Sequence, residues 1–507
     1  MHMSPVSIRL HPSGEVIAVA RGQALRDVLP EFGIEFPCGG RAACKGCRIR
    51  VVHGSMPPTD REAELLSAEE IAQGWRLACL ARVAGNAALE LAQWSAPVLA
   101  DETPFAFTPR EGLGIAIDLG TTTLAVQLLD LRRAQVLAVQ TALNPQAIYG
   151  ADLMSRICHA TQGPSHQLAL QSAIREKLGE MIGAALAHGR RKASDVTEVT
   201  IVGNTAMHHL FSGLDVAPLA AYPFEPRDLG MQIFSAAELG WDLPEQARIR
   251  FLPCLGGFVG SDLLAGILAC EMHRAEKLTA LVDLGTNGEI ILGNHQRILC
   301  ASTAAGPAFE GACISMGMRA AEGAITAAER NNGSIACRVM GGGRARGICG
   351  SGLVDVVSCA LDLEWIQASG RFSDGGASLA LPEGISISQG DIRQLQLAKG
   401  AIAAGLRILL ERLDASIADV ETLYLAGAFG NYISLRGAQR IGLLHAPISR
   451  IHPAGNTALL GAKMALFEDA EKEISAILAK TEHVALGADA RFQDVFVEEM
   501  LFPEPID

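Results

Sequence analysis

The sequence predicts a protein of mixed class, with an α+β domain at the N-terminus followed by a larger α/β body built from two related halves. Three observations carry that expectation. Four of the twelve cysteines fall within the first 80 residues at the spacing of a ligand set. A segment with three prolines and no sustained period, SAPVLADETPFAFTPREG, separates residues 1–95 from the rest and reads as a linker over 96–112. Beyond it, an apolar strand ending in Asp-Leu-Gly-Thr and turning back into a second strand occurs twice, at 118–121 and at 283–286. At 507 residues the chain has room for three or four units of roughly 100–200 residues each, which excludes a simple electron carrier.

In the first 95 residues, Val6–Leu10 and Val16–Ala20 alternate as a hairpin around Pro12–Gly14, Ala24–Phe32 reads as a short helix, and Cys47–Val52 reads as a strand. Between these elements lie Cys38, Cys44 and Cys47 in the pattern C-x5-C-x2-C, and Cys79 follows after 31 residues. Four thiolates at such a spacing hold a 2Fe-2S cluster. Gly39, Gly40 and Gly46 would let the loop turn its backbone amides inward toward sulfur. A structural zinc site is the alternative, although such sites ordinarily show two C-x2-C knuckles and this stretch has one. The order of elements around the loop is similar to the β-grasp of 2Fe-2S ferredoxins over about residues 1–95. That resemblance implies Cys38, Cys44, Cys47 and Cys79 as the metal ligands. Arg41, Lys45, Arg48 and Arg50 surround the loop, either as a basic docking rim for an acidic redox partner or as a solvated face. The other eight cysteines show no ligand spacing and are expected as small buried apolar residues.

The repeated hairpin suits phosphate and metal chemistry. Glycine lets backbone amides approach phosphate oxygens, threonine hydroxyls add donors, and an aspartate at the strand end can hold Mg²⁺ through its waters. The candidate residues are Asp118, Gly120, Thr121, Thr122 and Thr123 in the first copy, and Asp283, Gly285, Thr286, Asn287 and Gly288 in the second. A single copy would be an ordinary tight turn. Two copies resemble the phosphate-1 and phosphate-2 loops of the acetate and sugar kinase, heat-shock chaperone and actin superfamily, whose two lobes of ribonuclease H-like fold close over ATP. That resemblance sets the ATPase body at 113–507, with lobes at about 113–210 plus the C-terminal return and at about 250–455.

The remaining motifs of that superfamily can be sought in order. Thr200–His209 resembles its first connecting segment, with His208 and His209 read as packing residues. Gly427, Gly430 and Asn431, at the end of the apolar run Leu423–Ala426, are similar to the adenosine motif. Gly455–Ala462 resembles the second connecting helix, with small residues where the halves cross. Asp262 opens an apolar helix and reads as its N-cap; in the kinases of this superfamily the equivalent position holds a general base, which implies a role in orienting the attacking water. Gly350 and Ser351 form a glycine-rich turn into a helix, read either as a plain turn or as facing ribose or phosphate.

The pairing of the two parts resembles the reductive activators of corrinoid-dependent methyltransferases and corrinoid iron-sulfur proteins. The residues that carry it are the four cysteines, both Asp-Leu-Gly-Thr loops, Tyr149–Ile157, Ala304–Gly311, Gly350–Gly352 and Ala426–Asn431. The resemblance implies ATP-dependent reduction of an inactive Co(II) corrinoid to Co(I) by one electron from the 2Fe-2S cluster, with ATP and Mg²⁺ as the other cofactors. It also implies a corrinoid protein or methyltransferase as partner, an upstream low-potential electron donor, and a possible homodimer. One departure is that the linker passes directly to Gly114, leaving no space for the extra middle domain of larger members. A metabolite kinase with a fused redox regulator and a nucleotide-binding redox sensor without turnover are the alternatives. A net charge of -13 with no Lys/Arg-rich run argues against nucleic acid. No apolar stretch approaches the roughly 18 residues of a membrane span. Twelve cysteines without a secretory pattern at Met1–Glu15 point to a reducing, cytoplasmic setting.

Overall fold

The computed structural model describes residues 6–11, 16–29, 34, 42, 47–91, 103–150, 152–285, 287–311, 313–321, 323–430, 433–467 and 470–504. The chain forms two compact units, one of Met1–Ala96, Gly306–Ala398 and Phe502–Asp507, the other of Pro97–Ala305 and Lys399–Leu501.

The first unit contains a five-stranded sheet of β1 (Val6–His11), β2 (Val16–Val19), β3 (Arg48–His53), β4 (Trp75–Leu77) and β5 (Ala87–Leu91), in the order β2-β1-β5-β3-β4. The hairpin β1–β2 and the strand β3 stand where the alternation predicts them, while Pro12–Gly14 lie outside the described residues. β1 runs parallel to β5, and the other pairs are antiparallel. Ile8, Leu10, Ile49, Leu77 and Leu89 line the buried face. In place of the expected helix Ala24–Phe32, the described residues hold one helical turn, Leu25–Asp27, with 30–33 outside the described set. A helix at Asp60–Leu65 starts with a reciprocal cap between Thr59 and Glu62. The fully buried Glu62 also accepts the Leu77 backbone N–H at 2.7 Å, which ties this helix to β4, the strand leading to Cys79. The other part of this unit holds a hairpin, Ala324–Asn331 with Ser334–Val339, and the helix Gly350–Asp362.

The second unit is two six-stranded sheets of related design. β6 (Leu113–Leu119), β7 (Thr123–Asp130), β8 (Gln135–Leu143), β9 (Val196–Gly203), β10 (Gln232–Phe234) and β11 (Arg248–Phe251) lie in the order β10-β11-β9-β6-β7-β8. β12 (Leu278–Leu284), β13 (Gly288–Gly293), β14 (Ile298–Thr303), β15 (Val420–Ala426), β16 (Ile451–Gly455) and β17 (Thr481–His483) lie in the order β16-β15-β12-β13-β14-β17. In each sheet a central strand, β6 or β12, has two antiparallel successors on one side and two parallel strands on the other. Both central strands are buried along most of their length but leave an aspartate partly exposed near the C-terminal end, Asp118 in LGIAIDL and Asp283 in LTALVDL, whose first residue, Leu278, is also partly exposed. The two-lobed actin-like body is therefore present, and its two aspartates occupy the same place in each half.

The connecting segments differ from the expectation. The helix Thr205–Ser212, which follows β9, sinks Met207, Leu210 and Phe211 into the core of the first sheet and does not lead to the second. The helix between the two sheets in the chain is Ser261–Ala269, and it packs against Thr457–Met464. They cross so closely that a Cβ on Gly461 would lie 2.1 Å from the Ala265 carbonyl oxygen. The small residues around Gly461 do serve a crossing, as the sequence suggests.

Gly461→Ala should therefore destabilise the protein by about 1–3 kcal/mol, because backbone cannot step aside as a side chain can. Gly183→Ala, on an exposed helical position with open space around it, should stabilise it by roughly 0.5–1 kcal/mol. Thermal unfolding of the two variants beside the parent would show opposite shifts; a neutral Gly461→Ala would contradict the crossing.

Candidate functional site

Two of the four predicted cluster ligands, Cys38 and Cys44, lie outside the described residues; Cys47 and Cys79 are both described and both buried. Cys47 immediately precedes β3 and Cys79 follows β4, and the Ala78 N–H donates to the Cys47 carbonyl at 2.9 Å. The two thiols meet. The Cys79 thiol is held below its ordinary pKa, first by its hydrogen bond with Cys47 and further by the Ala42 backbone, against the opposing effect of burial. Ala42 sits at φ 53° and turns its own backbone toward the Cys79 sulfur, as a residue beside a cluster would. Paired buried sulfurs with an inward backbone donor fit a thiolate-ligated iron-sulfur cluster.

The second centre is a set of carboxylates drawn from both halves of the second unit. Asp118 ends β6, Asp283 ends β12, Asp262 is the second residue of the helix Ser261–Ala269, and Glu289 lies on β13 directly opposite Asp283. Burial is the main cause that raises each of them, pushing Asp118 up to about 6 and Asp262 and Asp283 up to about 7. The Asp118 charge raises Asp262 and Asp283 further, and Glu289 is raised by burial and then by Asp283 and Asp262. Three of these acids are raised by a neighbour's charge as well as by burial, and positive charge nearby would relieve that repulsion. Among the described residues no three acidic, histidine or cysteine side chains converge closely enough to chelate a metal directly. Carboxylates of this kind can hold a hydrated cation through its water shell.

Local structure fixes each acid. The Asp118 Oδ2 accepts from Asn456 Nδ2 at 2.8 Å, and Asn456 Oδ1 caps the helix Thr457–Met464 by accepting the Leu459 N–H at 2.8 Å. Asp262 is held by its helix, which is pinned to the end of β9. The Ser261 hydroxyl accepts the Gly203 N–H at 3.1 Å and donates to the Gly203 carbonyl at 3.2 Å. Gly260, not Asp262, is the N-cap residue, and its missing Cβ lets the chain pass against Gly203 and Asn204. The expectation of Asp262 as N-cap is thus corrected; its Oδ1 accepts only the next N–H, that of Leu263, at 2.9 Å. Gly427, at φ 84°, brings β15 against Asp283, where a Cβ would stand 2.5 Å from Oδ1.

The two loops differ in length. Residues 120–123 lie between the paired Leu119 and Leu124, but only 285–287 lie between Leu284 and Gly288. The first loop closes with Gly120 N–H to the Thr123 carbonyl, the second with Gly285 N–H to the Asn287 carbonyl, each at 3.1 Å. Asn204 Nδ2 donates to the Thr121 hydroxyl at 2.8 Å, and Asn144 holds the Gly120 and Thr122 carbonyls.

Known proteins match the chain along nearly its full length. The model of the 2Fe-2S iron-sulfur cluster binding domain matches residues 8–84, that of the RACo middle region 113–275, and that of the C-terminal domain of RACo, the ASKHA domain, 277–506. The corrinoid activation enzyme RamQ of Eubacterium limosum is 36% identical over 78% of this chain and 71% of its own. The [Co(II) methylated amine-specific corrinoid protein] reductase of Methanosarcina barkeri is 27% identical over 77% of each. A solved structure described as a reductive activator for corrinoid, iron-sulfur protein superposes with a TM-score of 0.68 at 26% identity, over 98% of both chains. The chain belongs to the corrinoid reductive activators.

The middle region of these activators is matched at 113–275, which here is the first of the two sheets and the helix leading out of it, so β6 follows directly on residues 103–112. The other predicted residues fall in different places. Thr286 and Asn431 lie outside the described residues, as do Arg41 and Lys45 of the suggested basic rim. Arg48 is spent on Glu70 at 3.1 Å and Arg50 on Glu90 at 3.3 Å, so the described half of that rim is internally paired. Gly288 is buried against Ile402. Gly350 and Ser351 belong to the first unit. A Cβ on Gly350 would lie 1.8 Å from the Phe309 carbonyl oxygen, and the Ser351 hydroxyl donates to the Thr326 carbonyl at 2.8 Å. His208 and His209 are buried, with His208 edge-on to Phe251 and held down to about 4 by burial, in keeping with packing roles. Of the eight remaining cysteines, Cys254, Cys300, Cys349 and Cys359 are buried as expected, Cys270 and Cys337 are partly so, and Cys158 and Cys313 are exposed. Glu289, Asn204, Ser261 and Asn456 escaped the sequence reading. Only Glu289 left a local sign, an acid six residues after the second strand-end aspartate.

Because folding raises these carboxyl pKa values, the proton uptake it drives stabilises the protein fully below about pH 4 and is lost as pH rises through 6 to 7. Without divalent metal, wild type should lose more stability between pH 5.5 and 8 than Asp283→Asn does, by on the order of 1 kcal/mol. Identical pH dependence of Tm in the two proteins would show that the acids do not sense one another.

Proposed function

We propose that the chain is an ATP-dependent reductive activator, which returns the Co(II) corrinoid of a corrinoid protein or methyltransferase to Co(I) by one-electron transfer from its 2Fe-2S cluster. The observation that carries the ATP part is the meeting of Asp118, Asp262, Asp283 and Glu289 beside two hairpin loops that belong to different sheets. The two relatives, a corrinoid activation enzyme and a Co(II) corrinoid protein reductase, support the corrinoid part.

Roles follow from position. Asp118 and Asp283 orient the water shell of Mg²⁺, and the loop residues Gly120, Thr121, Thr122, Thr123, Gly285, Thr286, Asn287 and Gly288 receive the phosphates. Asn204 sets the Thr121 hydroxyl for that task. Gly427, Gly430 and Asn431 receive the adenosine, with Gly350 and Ser351 as further candidates for it. Asp262, raised to about 7, is poised to accept a proton from an attacking water near neutral pH. ATP and water would give ADP and phosphate, and an upstream low-potential donor would replace each electron delivered to Co(II). The cluster, held by Cys38, Cys44, Cys47 and Cys79, supplies single electrons near roughly -400 mV. In a one-electron step, each shortfall of about 59 mV costs a factor of ten in the equilibrium constant, which gives nucleotide turnover its purpose. A reducing, cytoplasmic compartment is the setting in which cysteine thiolates stay available as cluster ligands.

The test is to follow cobalt absorption and ATP hydrolysis together, with a Co(II) corrinoid protein and the reduced activator. Co(I) should appear only when ATP is present; no Co(I) with both reductant and ATP would overturn the reading. Asp283→Asn should keep the 2Fe-2S spectrum and lose ATP turnover by about 100-fold or more. Cys79→Ser should lose the cluster spectrum instead.

A further inference from the structure

The segment that joins the cluster domain to the ATPase is docked on the ATPase through its C-terminal half. Phe105 and Phe107 pack on Phe467, with ring centroids 5.7 and 5.1 Å from it and 5.9 Å from each other. Arg110 donates to the Leu466 carbonyl at 2.7 Å and pairs with the buried Glu198 at 3.1 Å. Glu198 also holds Arg250, which donates to the Ala465 carbonyl at 2.9 Å. Ala465, Leu466 and Phe467 are the residues that immediately follow the helix Thr457–Met464. Two guanidinium groups and two linker aromatics therefore grip the C-terminal end of that helix, where cations are favoured.

The other end of the same helix is Asn456, whose amide donates to Asp118. Eight helical residues span about 12 Å, and a helix this short moves as a rod. The rod is buried, with its Ala458, Leu459 and Ala462, and Leu466 and Phe467 just beyond it, in one apolar core. It cannot slip against Ser261–Ala269, because Gly461 lies on the Ala265 backbone. β6 offers a parallel route. Asp118 is near one end of that strand, and at the other end Gly114 abuts Leu466, where a Cβ would come within 2.9 Å of its side chain. A displacement of the Asp118 carboxylate thus reaches Leu466 and Phe467 by two stiff paths.

We propose that Asn456 is a positioning residue for Asp118, and that the helix it caps carries the state of the nucleotide site to linker residues 103–112. This rests on the ATP-site reading above. A hydrated cation or phosphate at Asp118 competes for the oxygen that Asn456 holds, and the helix responds at its far end by tightening or releasing Phe105, Phe107 and Arg110. Nucleotide turnover then alternates the linker between two anchored states. Phe105 and Phe107 touch no part of the nucleotide site, so they belong to coupling and not to hydrolysis.

Hydrogen exchange over 103–112 in the full chain, with and without Mg·ATP, tests the path. Wild type should change protection there by about fivefold or more, the low end of ordinary allosteric coupling. Asn456→Ser keeps a capping oxygen and loses the amide that reaches Asp118; it should keep a wild-type Tm and lose that change. Phe107→Leu should leave ATP hydrolysis within about twofold while Co(I) formed per ATP falls by about fivefold or more. Unaltered exchange in wild type on Mg·ATP binding, or a Phe107→Leu protein with full Co(I) yield, overturns the inference. Wild type that binds Mg·ATP and shows the change but forms no Co(I) defeats the activator reading and leaves the path standing.

Discussion

The second unit is organised around electrostatic repulsion among Asp118, Asp262, Asp283 and Glu289. Burial raises every one of these carboxyls, the Asp118 charge raises Asp262 and Asp283 further, and those two raise Glu289. At about 1.4 kcal/mol per pK unit, such a group costs the fold stability whenever it is ionised. A soluble domain tolerates that only where surrounding structure over-determines the position of every acid. Two central strands, one pinned helix and one capping asparagine do so here, and on the proposed reading the arrangement receives positive charge.

The pinning is done by backbone in contact with backbone. Gly260 lies on Gly203 and Asn204, Gly427 on Asp283 and Leu284, and Gly461 on Ala265. At each place a methyl group would collide, so the elements that carry the acids cannot slide apart by small side-chain adjustments. Interiors of this kind are stiff and switch between discrete packings more readily than they deform. Motion in the second unit is therefore concentrated where contacts are polar and exchangeable. Asn456 with Asp118 is one such contact, and Arg110 with Glu198 is another.

Much of this was legible in the sequence for a physical reason: LGIAIDL and LTALVDL are apolar runs suited to a buried strand, and the same Asp-Leu-Gly-Thr turn at the end of both marks two related halves where one copy would be an ordinary turn. The cysteine spacing and the β1–β2 hairpin were readable on similar grounds. What could not be read depends on partners far along the chain. Asn456 meets Asp118 across 338 positions, and Glu289 becomes part of the site only because the second loop is one residue shorter and places it opposite Asp283. The N-cap at Gly260 has no side chain to announce it. Arg48 and Arg50 suggested a docking rim because their partners, Glu70 and Glu90, are folded against them by strands and helices that charge counting does not see.

The energies at stake on the proposed reading are small enough for one polar contact to matter. A cluster that falls about 120 mV short of its acceptor faces a hundredfold unfavourable equilibrium, or about 2.7 kcal/mol. A hydrogen bond to a charged group is worth about 1.5–3 kcal/mol, and coupling between distant sites typically amounts to about 1–3 kcal/mol. Making and breaking the Asn456–Asp118 contact in step with nucleotide turnover is therefore of the right size to bias such an electron transfer. A larger lever would need a conformational change that the glycine contacts at Ala265 and Asp283 forbid.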